Sequence, residues 1–334
     1  MTMQAVGGRS VGARVKRVED PRILTGQGRY VDDVVLPGML HAAFLRSQIP
    51  HGQLRSVDVS EARRLPGVVA VYTGADIERL TKAAQAGAVI GINRMPGLKS
   101  PSFFALATDK VRFVGDPIAL VVAESRYIAE DALELIVEDI EMLEPVVSYE
   151  DALDSTKPRL FEELDDNVNL TAEMVLGDVD GVFARADRTV RATVSVHRHQ
   201  PVPMECRGLI AHWDAGAEHL TIYASTQSPH MYRMVLPDQV GIPTDRIRVI
   251  AGDVGGGFGL KGGMAREDVA LVAAAKDLGR PVKWIEDRLE HLASAGQARE
   301  EMAELEAAVT DDGVILGVRM DLKVNVGAYP CDPI

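Results

Sequence analysis

The chain has 334 residues, of which 46% are apolar and 25% charged, and a formal net charge of −13. This is the composition of a soluble globular protein with material for two cores, at roughly 100–200 residues per domain. The acidic balance argues against nucleic acid or an anionic membrane surface as the main partner, since both need a basic face. No apolar run approaches the roughly 20 residues needed to span a bilayer.

The two cysteines, Cys206 and Cys331, lie far apart, with no C-x-x-C or Cys/His spacing. This argues against an iron–sulfur or structural zinc site within the chain. They read as reduced thiols, with a single disulfide left open. The segment from Met1 to Lys16 lacks the apolar core of a secretory signal, and the expected location is cytoplasmic.

In chain order, residues 1–20 read as irregular. From Arg22 the pattern suggests strand, turn, strand, punctuated by Gly26, Gly28, Asp32, Asp33, Pro37 and Gly38. Met39 to Leu45 predicts a buried strand. Ser60 to Leu65 predicts a short helix stopped by Pro66-Gly67. Val68 to Tyr72 is a β-branched strand, and Gly74-Ala75-Asp76 a turn. The Ala- and Gly-rich stretch from Glu78 to Pro101 reads as a long excursion. Lys110 to Val114 and Ile118 to Ala123 predict strands. Arg126 to Ile136 predicts a helix with Ala129, Ala132, Leu133 and Ile136 on one face. With Val137 to Leu143 as the next strand, this last stretch reads as a crossover unit.

Pro145 to Asp166 carries few periodic signals and marks a domain boundary. The expected organisation is an irregular segment 1–20, a first domain 21–150 and a second 151–334. In the second, Arg188 to Val196 alternates, with Val190, Ala192, Val194 and Val196 on one face. Strands follow at Gly208 to Trp213, Leu220 to Ala224, Arg246 to Ile250 and Val282 to Ile285. Helices are predicted at Pro229 to Val235 and Arg266 to Leu278. The latter has Glu267 and Asp268 in its first turn and Gly279 and Pro281 just past its end. Glu304 to Val326 reads as a hairpin turning at Asp311-Asp312-Gly313.

Between a strand and a helix lies Gly255-Gly256-Gly257-Phe258-Gly259-Leu260-Lys261-Gly262-Gly263, nine residues with six glycines. Glycines let backbone N–H groups approach a ligand closely, and a loop that opens a helix points donors at an anion. A phosphate- or pterin-type ligand suits such a loop; a tight structural turn is the bland alternative. Residues 257–262 also match G-x-G-x-x-G, with Glu286 about where a ribose-binding acid would sit, so an NAD-dependent dehydrogenase is a competing reading. Against it stand the bulky Phe258 and Lys261 and the late position of the unit. No G-K-[ST] follows, which excludes a Walker loop.

The loop GGGFGLKGG resembles the signature of the xanthine dehydrogenase and aldehyde oxidase superfamily, in particular carbon monoxide dehydrogenase-like large subunits. The resemblance runs in order over nearly the whole chain. Arg17 to Asp33 (RVEDPRILTGQGRYVDD) resembles the family's opening. Leu45-Arg46-Ser47, Leu65 to Val69 (LPGVV) and Lys110 to Pro117 (KVRFVGDP) resemble its first domain. Met204-Glu205, Ser225 to His230 (STQSPH) and Gly279 to Trp284 (GRPVKW) resemble its second. The implied fold class is α+β, with an N-terminal α/β hammerhead domain followed by the first, incomplete part of the molybdopterin-binding domain.

The resemblance implies site residues. Gln227 matches the glutamine that hydrogen-bonds the oxo/dithiolene region of the molybdenum centre, where a neutral amide donates without adding charge. Gly256, Gly257, Phe258 and Gly259 match the segment whose backbone lies against the pterin, with Phe258 near the substrate channel. Read without the resemblance, Phe258 is plain core and Lys261 a solvated lysine. Gly262 stands where xanthine-specific members carry a glutamate, which argues against xanthine as the substrate. Glu205, His197, His199 and His230 are expected to pack or hydrogen-bond rather than catalyse, Cys331 reads as structural, and no protein residue is expected to ligate the metal.

The implied cofactor is molybdenum with molybdopterin in its cytosine dinucleotide form, for oxidative hydroxylation of an aldehyde, N-heterocycle or similar small substrate. FAD and 2Fe-2S centres are expected on a medium and a small partner subunit. The family's large subunit is more than twice as long, and its general-base glutamate lies in the C-terminal half, so no catalytic residue is assigned here. The stop at Pro333-Ile334 suggests a split gene, whose second polypeptide carries the rest, or a truncated frame. Either way, the chain alone is expected to be inactive. The remaining alternative is a non-catalytic assembly module for electron-transfer subunits.

Overall fold

A computed structural model describes residues 12–85 and 97–329. The segment Pro117–Ala123 (PIALVVA) is apolar throughout, and every residue in it is buried. Such a strand belongs inside a sheet covered on both faces. It pairs antiparallel with Leu40–Arg46 on one side, in the register Ala43↔Val121, and with Val68–Thr73 on the other. Leu40–Arg46 in turn pairs in parallel with Val282–Ile285, through Leu40↔Val282.

That parallel contact joins the two halves of the sequence into one seven-stranded mixed sheet. Its order is Ile247–Ile250, His219–Ala224, Gly208–Asp214, Val282–Ile285, Leu40–Arg46, Pro117–Ala123, Val68–Thr73. Sheet alternation sends Leu40, Ala42, Phe44, Leu120, Leu209, Ala211 and Trp284 to one face, where they pack with the helices Pro229–Val240 and Arg266–Leu278. Ala43, Ala119 and Val121 point the other way, onto Ala129 and Ala132 of the helix Arg126–Leu133. From Val269 to Ala275 every residue of the helix Arg266–Leu278 is buried; its small alanines let it lie close on the sheet. The helix ends at Gly279, whose φ of 61° is a left-handed stop.

Three expectations are corrected. The segments Pro117–Ala123, Arg126–Leu133 and Val137–Met142 do not form a parallel crossover. The first strand already has a neighbour on each side, so the last joins a separate sheet with Gly52–Asp58 and Lys110–Val111. The stretch from Arg22 is no strand: a short helix covers Asp20–Leu24, started by Pro21, whose fixed φ suits a first turn. Gly74-Ala75-Asp76 opens a helix, Gly74–Leu80, rather than a turn, because Asp76 accepts from the Thr73 N–H and hydroxyl, both at 2.9 Å.

Arg188–Val196, Glu301–Val309 and Ile315–Val324 form a three-stranded antiparallel sheet. The expected alternation is present. Val190 and Val194 stand in register with Ala307 and Ala303, and those with Val318 and Leu322. This apolar face is solvent-exposed, with Val190 at 54% and Met320 at 58%. Part of the excursion expected from Glu78 to Pro101, and the cysteine Cys331, lie outside the described residues.

Candidate functional site

His219–Ala224 and Ile247–Ile250 are adjacent and parallel, with Tyr223 opposite Ile250. The segments that follow them, Ser225 to Ser228 and the glycine loop, therefore leave the sheet at the same edge. Gly208–Asp214 runs the opposite way, so the segment before it, Pro203 to Arg207, reaches that edge too. Ligand sites in α/β sheets form beyond such strand ends, where connections diverge.

At this edge Gln227 meets the loop. Its side-chain carbonyl Oε1 accepts a hydrogen bond from the Gly259 N–H at 3.1 Å, and its main-chain N–H donates to the Lys261 carbonyl at 2.8 Å. The carbonyl end of the amide is thus engaged, and the NH2 end has no hydrogen-bond partner among the described residues. A Cβ on Gly257 would lie 2.4 Å from Gln227 Oε1, so this position requires glycine for Gln227 to sit where it does.

The loop backbone is unusual. Gly256 and Gly259 have φ of 98° and 92°, and Phe258, between them, has φ of 52°. A bulky residue in this region is strained. Phe258 is also 73% exposed, which corrects its reading as a core residue. Its ring lies over Gly256, where an added Cβ would meet both Phe258 and Pro203 at 3.1 Å.

Lys261 is likewise not a solvated lysine. It is 2% exposed, and burial pushes its ammonium below the usual lysine range, with the Glu205 carboxylate pulling the other way. Its partners are the Glu205 carbonyl at 2.8 Å, Glu205 Oε2 at 3.2 Å and Ser225 Oγ at 2.6 Å. Glu205 is a hydrogen-bonding residue as expected, although its pairing with Lys261 is invisible in the sequence. His197, His199 and His230, expected to pack or hydrogen-bond, are exposed, and His199 pairs with Ala298 through its main chain at 2.8 Å.

Beneath the loop lies a buried ionic network. Arg207 grips Glu286 through Nε at 2.9 Å and Nη2 at 2.5 Å, and reaches Glu267 at 3.3 Å. Burial alone would raise the Glu267 carboxyl, but the Arg207 and Arg46 guanidiniums outweigh it and hold the group well below the usual carboxylate range. His291 spans Glu286 Oε2 and the Pro201 carbonyl, each at 2.9 Å. Cys206, Glu286 and His291 bring potential ligand atoms within 4.8 Å of one another. The atoms that Glu286 and His291 would offer a metal are already committed to these partners, so the cluster reads as part of the ion-pair network.

The same facts dispose of the dinucleotide reading. Glu286 is buried against Arg207 and cannot face a ribose. The strand after the glycine loop, Val282–Ile285, is not beside Ile247–Ile250: two strands separate them, and it runs antiparallel to its neighbour Gly208–Asp214. A dinucleotide fold needs adjacent parallel strands there.

Comparison with known proteins agrees with this architecture. Residues 25–144 match the a/b hammerhead domain of aldehyde oxidase and xanthine dehydrogenase, and residues 160–333 match the molybdopterin cofactor-binding domain. The chain belongs to the aldehyde oxidase and xanthine dehydrogenase family, with a hammerhead domain followed by part of a molybdopterin-binding domain. It is 39% identical over 323 residues to the nicotine 6-hydroxylase large subunit of Paenarthrobacter nicotinovorans, covering 97% of this chain and 39% of that one. It is 38% identical over 332 residues to the carbon monoxide dehydrogenase large chain of Afipia carboxidovorans, covering 96% and 40%. Among solved structures, quinoline 2-oxidoreductase from Pseudomonas putida 86 superposes with a TM-score of 0.86 at 37% identity, over 94% of this chain and 39% of that one. The chain thus spans about two-fifths of the length of these relatives.

Proposed function

We propose that this chain supplies one wall of the molybdopterin site in a molybdenum hydroxylase. The observation that carries the reading is the hydrogen bond from the Gly259 N–H to Gln227 Oε1 at 3.1 Å. It unites two motifs distant in sequence into one cradle and leaves the Gln227 NH2 group free to donate. The residues fit the group: Gly257 leaves no room for a side chain, a Cβ on Gly259 or Gly263 would meet open space, and Phe258 stands exposed beside them. Gln227 would donate to the metal-proximal end of the cofactor, and the backbone of Gly256 to Gly259 would lie against the pterin. When bound, the molybdenum–pterin group supplies the oxidising power and activated oxygen for hydroxylating an electrophilic carbon.

The supported substrate class is an N-heterocycle or an aldehyde-type molecule. Relatives named for nicotine and quinoline favour the heterocycle, and Gly262 offers no carboxylate to hold a purine such as xanthine. The base that activates the reaction is assigned to the portion of the large subunit outside the matched length, carried by the same or a separate polypeptide. The cofactor form is the cytosine dinucleotide, FAD and 2Fe-2S centres reside on a medium and a small partner subunit, and the assembly is cytoplasmic. No helix among the described residues is long and apolar enough to cross a membrane.

The test is to purify the protein with its partners from its own host. Molybdenum and pterin in equal amounts, CMP released on acid hydrolysis, and co-purifying FAD and iron are expected. A preparation that releases NAD and contains no molybdenum overturns the reading.

A further inference from the structure

Both ends of the glycine loop are tied to one residue. At the start, the Gly255 N–H donates to Glu205 Oε2 at 2.8 Å, and the Glu205 N–H donates back to the Gly255 carbonyl at 3.2 Å. At the end, the Lys261 ammonium donates to the Glu205 carbonyl at 2.8 Å and contacts Glu205 Oε2 at 3.2 Å. Ser225 bridges the two: its hydroxyl donates to Glu205 Oε2 at 2.6 Å and accepts from Lys261 Nζ at 2.6 Å. Three donors on an ammonium and three acceptors around it leave Lys261 fully satisfied. The Lys261 carbonyl, in turn, accepts from the Gln227 N–H and the Thr226 hydroxyl, at 2.8 and 3.1 Å.

We propose that Glu205, with Lys261 and Ser225, is the positioning element of the cofactor loop: a buried latch that pins residues 255 and 261 and so fixes the backbone of Gly256 to Gly259 and the Gln227 amide in register. The inference rests on the proposed molybdopterin site and extends it to residues that touch the loop rather than the cofactor. The physical case is the asymmetry of the loop. Gly256 to Gly259 include two glycines and a phenylalanine at positive φ, a conformation that persists only when its surroundings hold it. Inside the loop the Gly259 N–H bonds to the exposed Gln227 and the Leu260 N–H to the Gly257 carbonyl, at 3.1 and 3.0 Å, whereas the buried side chains that anchor it lie at its ends. Charge pairing of Lys261 with Glu205 in a side-chain environment 1% and 14% exposed supplies that anchor, since a buried pair is costly to break from either side.

The test uses the holoprotein and three variants: Glu205→Gln, Ser225→Ala and the double Glu205→Gln/Lys261→Met. The readouts are hydrogen exchange over residues 255–262 and over the core helix at 269–275, pterin content per chain, and melting temperature. The latch predicts exchange in 255–262 at least tenfold faster in Glu205→Gln and about threefold faster in Ser225→Ala, with 269–275 unchanged. It predicts at least fivefold less pterin in Glu205→Gln. The double variant, which buries no lone charge, regains the melting temperature yet keeps the fast exchange and the low pterin content. Unchanged exchange in 255–262, or restored pterin in the double variant, overturns the latch. If Glu205→Gln does not fold, the other two variants decide by the same criteria. A wild-type protein with a protected loop and no pterin contradicts the molybdopterin reading while leaving the latch standing.

Discussion

Arg46 Nη2 lies 2.8 Å from Glu267 Oε1, with the two side chains 7% and 6% exposed. The contact is an ion pair by distance rather than a well-directed hydrogen bond. It links the end of a hammerhead strand to the first turn of the helix that roofs the molybdopterin-binding part. The same guanidinium donates through Nε to Glu290 at 2.8 Å and through Nη1 to the Gly115 carbonyl at 2.9 Å. Two halves that read as separate domains in sequence are thus joined by a shared sheet and by a buried charge cluster at its edge.

Arg46→Met leaves Glu267 and Glu290 short of a counter-charge in a buried site. Truncating one partner of a buried ion pair costs about 3–5 kcal/mol. Denaturant unfolding checks this, and adding Glu267→Gln to the variant recovers part of the loss, as expected for coupled neighbours. A loss below about 1 kcal/mol in the single variant means the cluster contributes little to holding the halves together.

Asp268 gives a pH signature. Burial raises its carboxyl to about 6, opposed by the hydrogen bond from the Ala265 N–H and reinforced by the Glu267 charge. A folded-state value above the unfolded one means the native state holds the extra proton. The stability this group contributes is therefore full below about pH 4 and is lost as the pH rises through about 6. Asp268→Asn retains an acceptor for Tyr232 and Ala265, both at 2.9 Å from Oδ2, and removes the titration. Relative to wild type, its stability improves by about 2 kcal/mol between pH 4 and pH 7, since each tenfold difference in proton affinity between the folded and unfolded chain is worth about 1.4 kcal/mol. Unfolding curves across that range check it, and a difference that does not vary with pH contradicts it.

Phe258 separates a core role from a site role. A core phenylalanine truncated to alanine costs about 3–5 kcal/mol. At φ 52° and 73% exposed, Phe258→Gly instead relieves backbone strain and leaves stability unchanged or about 1 kcal/mol higher. Thermal unfolding is the measurement, and a drop of several degrees would return Phe258 to the core.

Much of the fold is legible in the sequence because its signals are local. Arg266 to Leu278 combines an acidic first turn, an alanine-rich middle and a glycine stop, and the helix has those bounds. Asp311-Asp312-Gly313 turns the hairpin of Glu301–Val309 and Ile315–Val324. What escapes is whatever depends on a distant partner. The strand at Val137–Met142 has the right pattern for a crossover but joins another sheet, because the edge it needed was taken. The site divides the same way. The glycine loop and Gln227 stand out by residue type, and the structure brings them together. Lys261, Glu205 and Arg46 look like ordinary surface charges until their counter-ions, 56 and more residues away, are seen beside them.

If Gln227 and the glycine loop form one molybdopterin cradle, Gly257→Ala must damage it, since the added methyl would lie 2.4 Å from Gln227 Oε1 and displace a flexible side chain without disturbing the core. The measurement is pterin and molybdenum per chain in Gly257→Ala and Gln227→Ala, against the wild-type protein isolated with its partners. A shared cradle predicts that both variants keep the wild-type melting temperature within a few degrees and lose at least about five-sixths of the cofactor, roughly 1 kcal/mol or more of binding. Full cofactor content in both variants contradicts it.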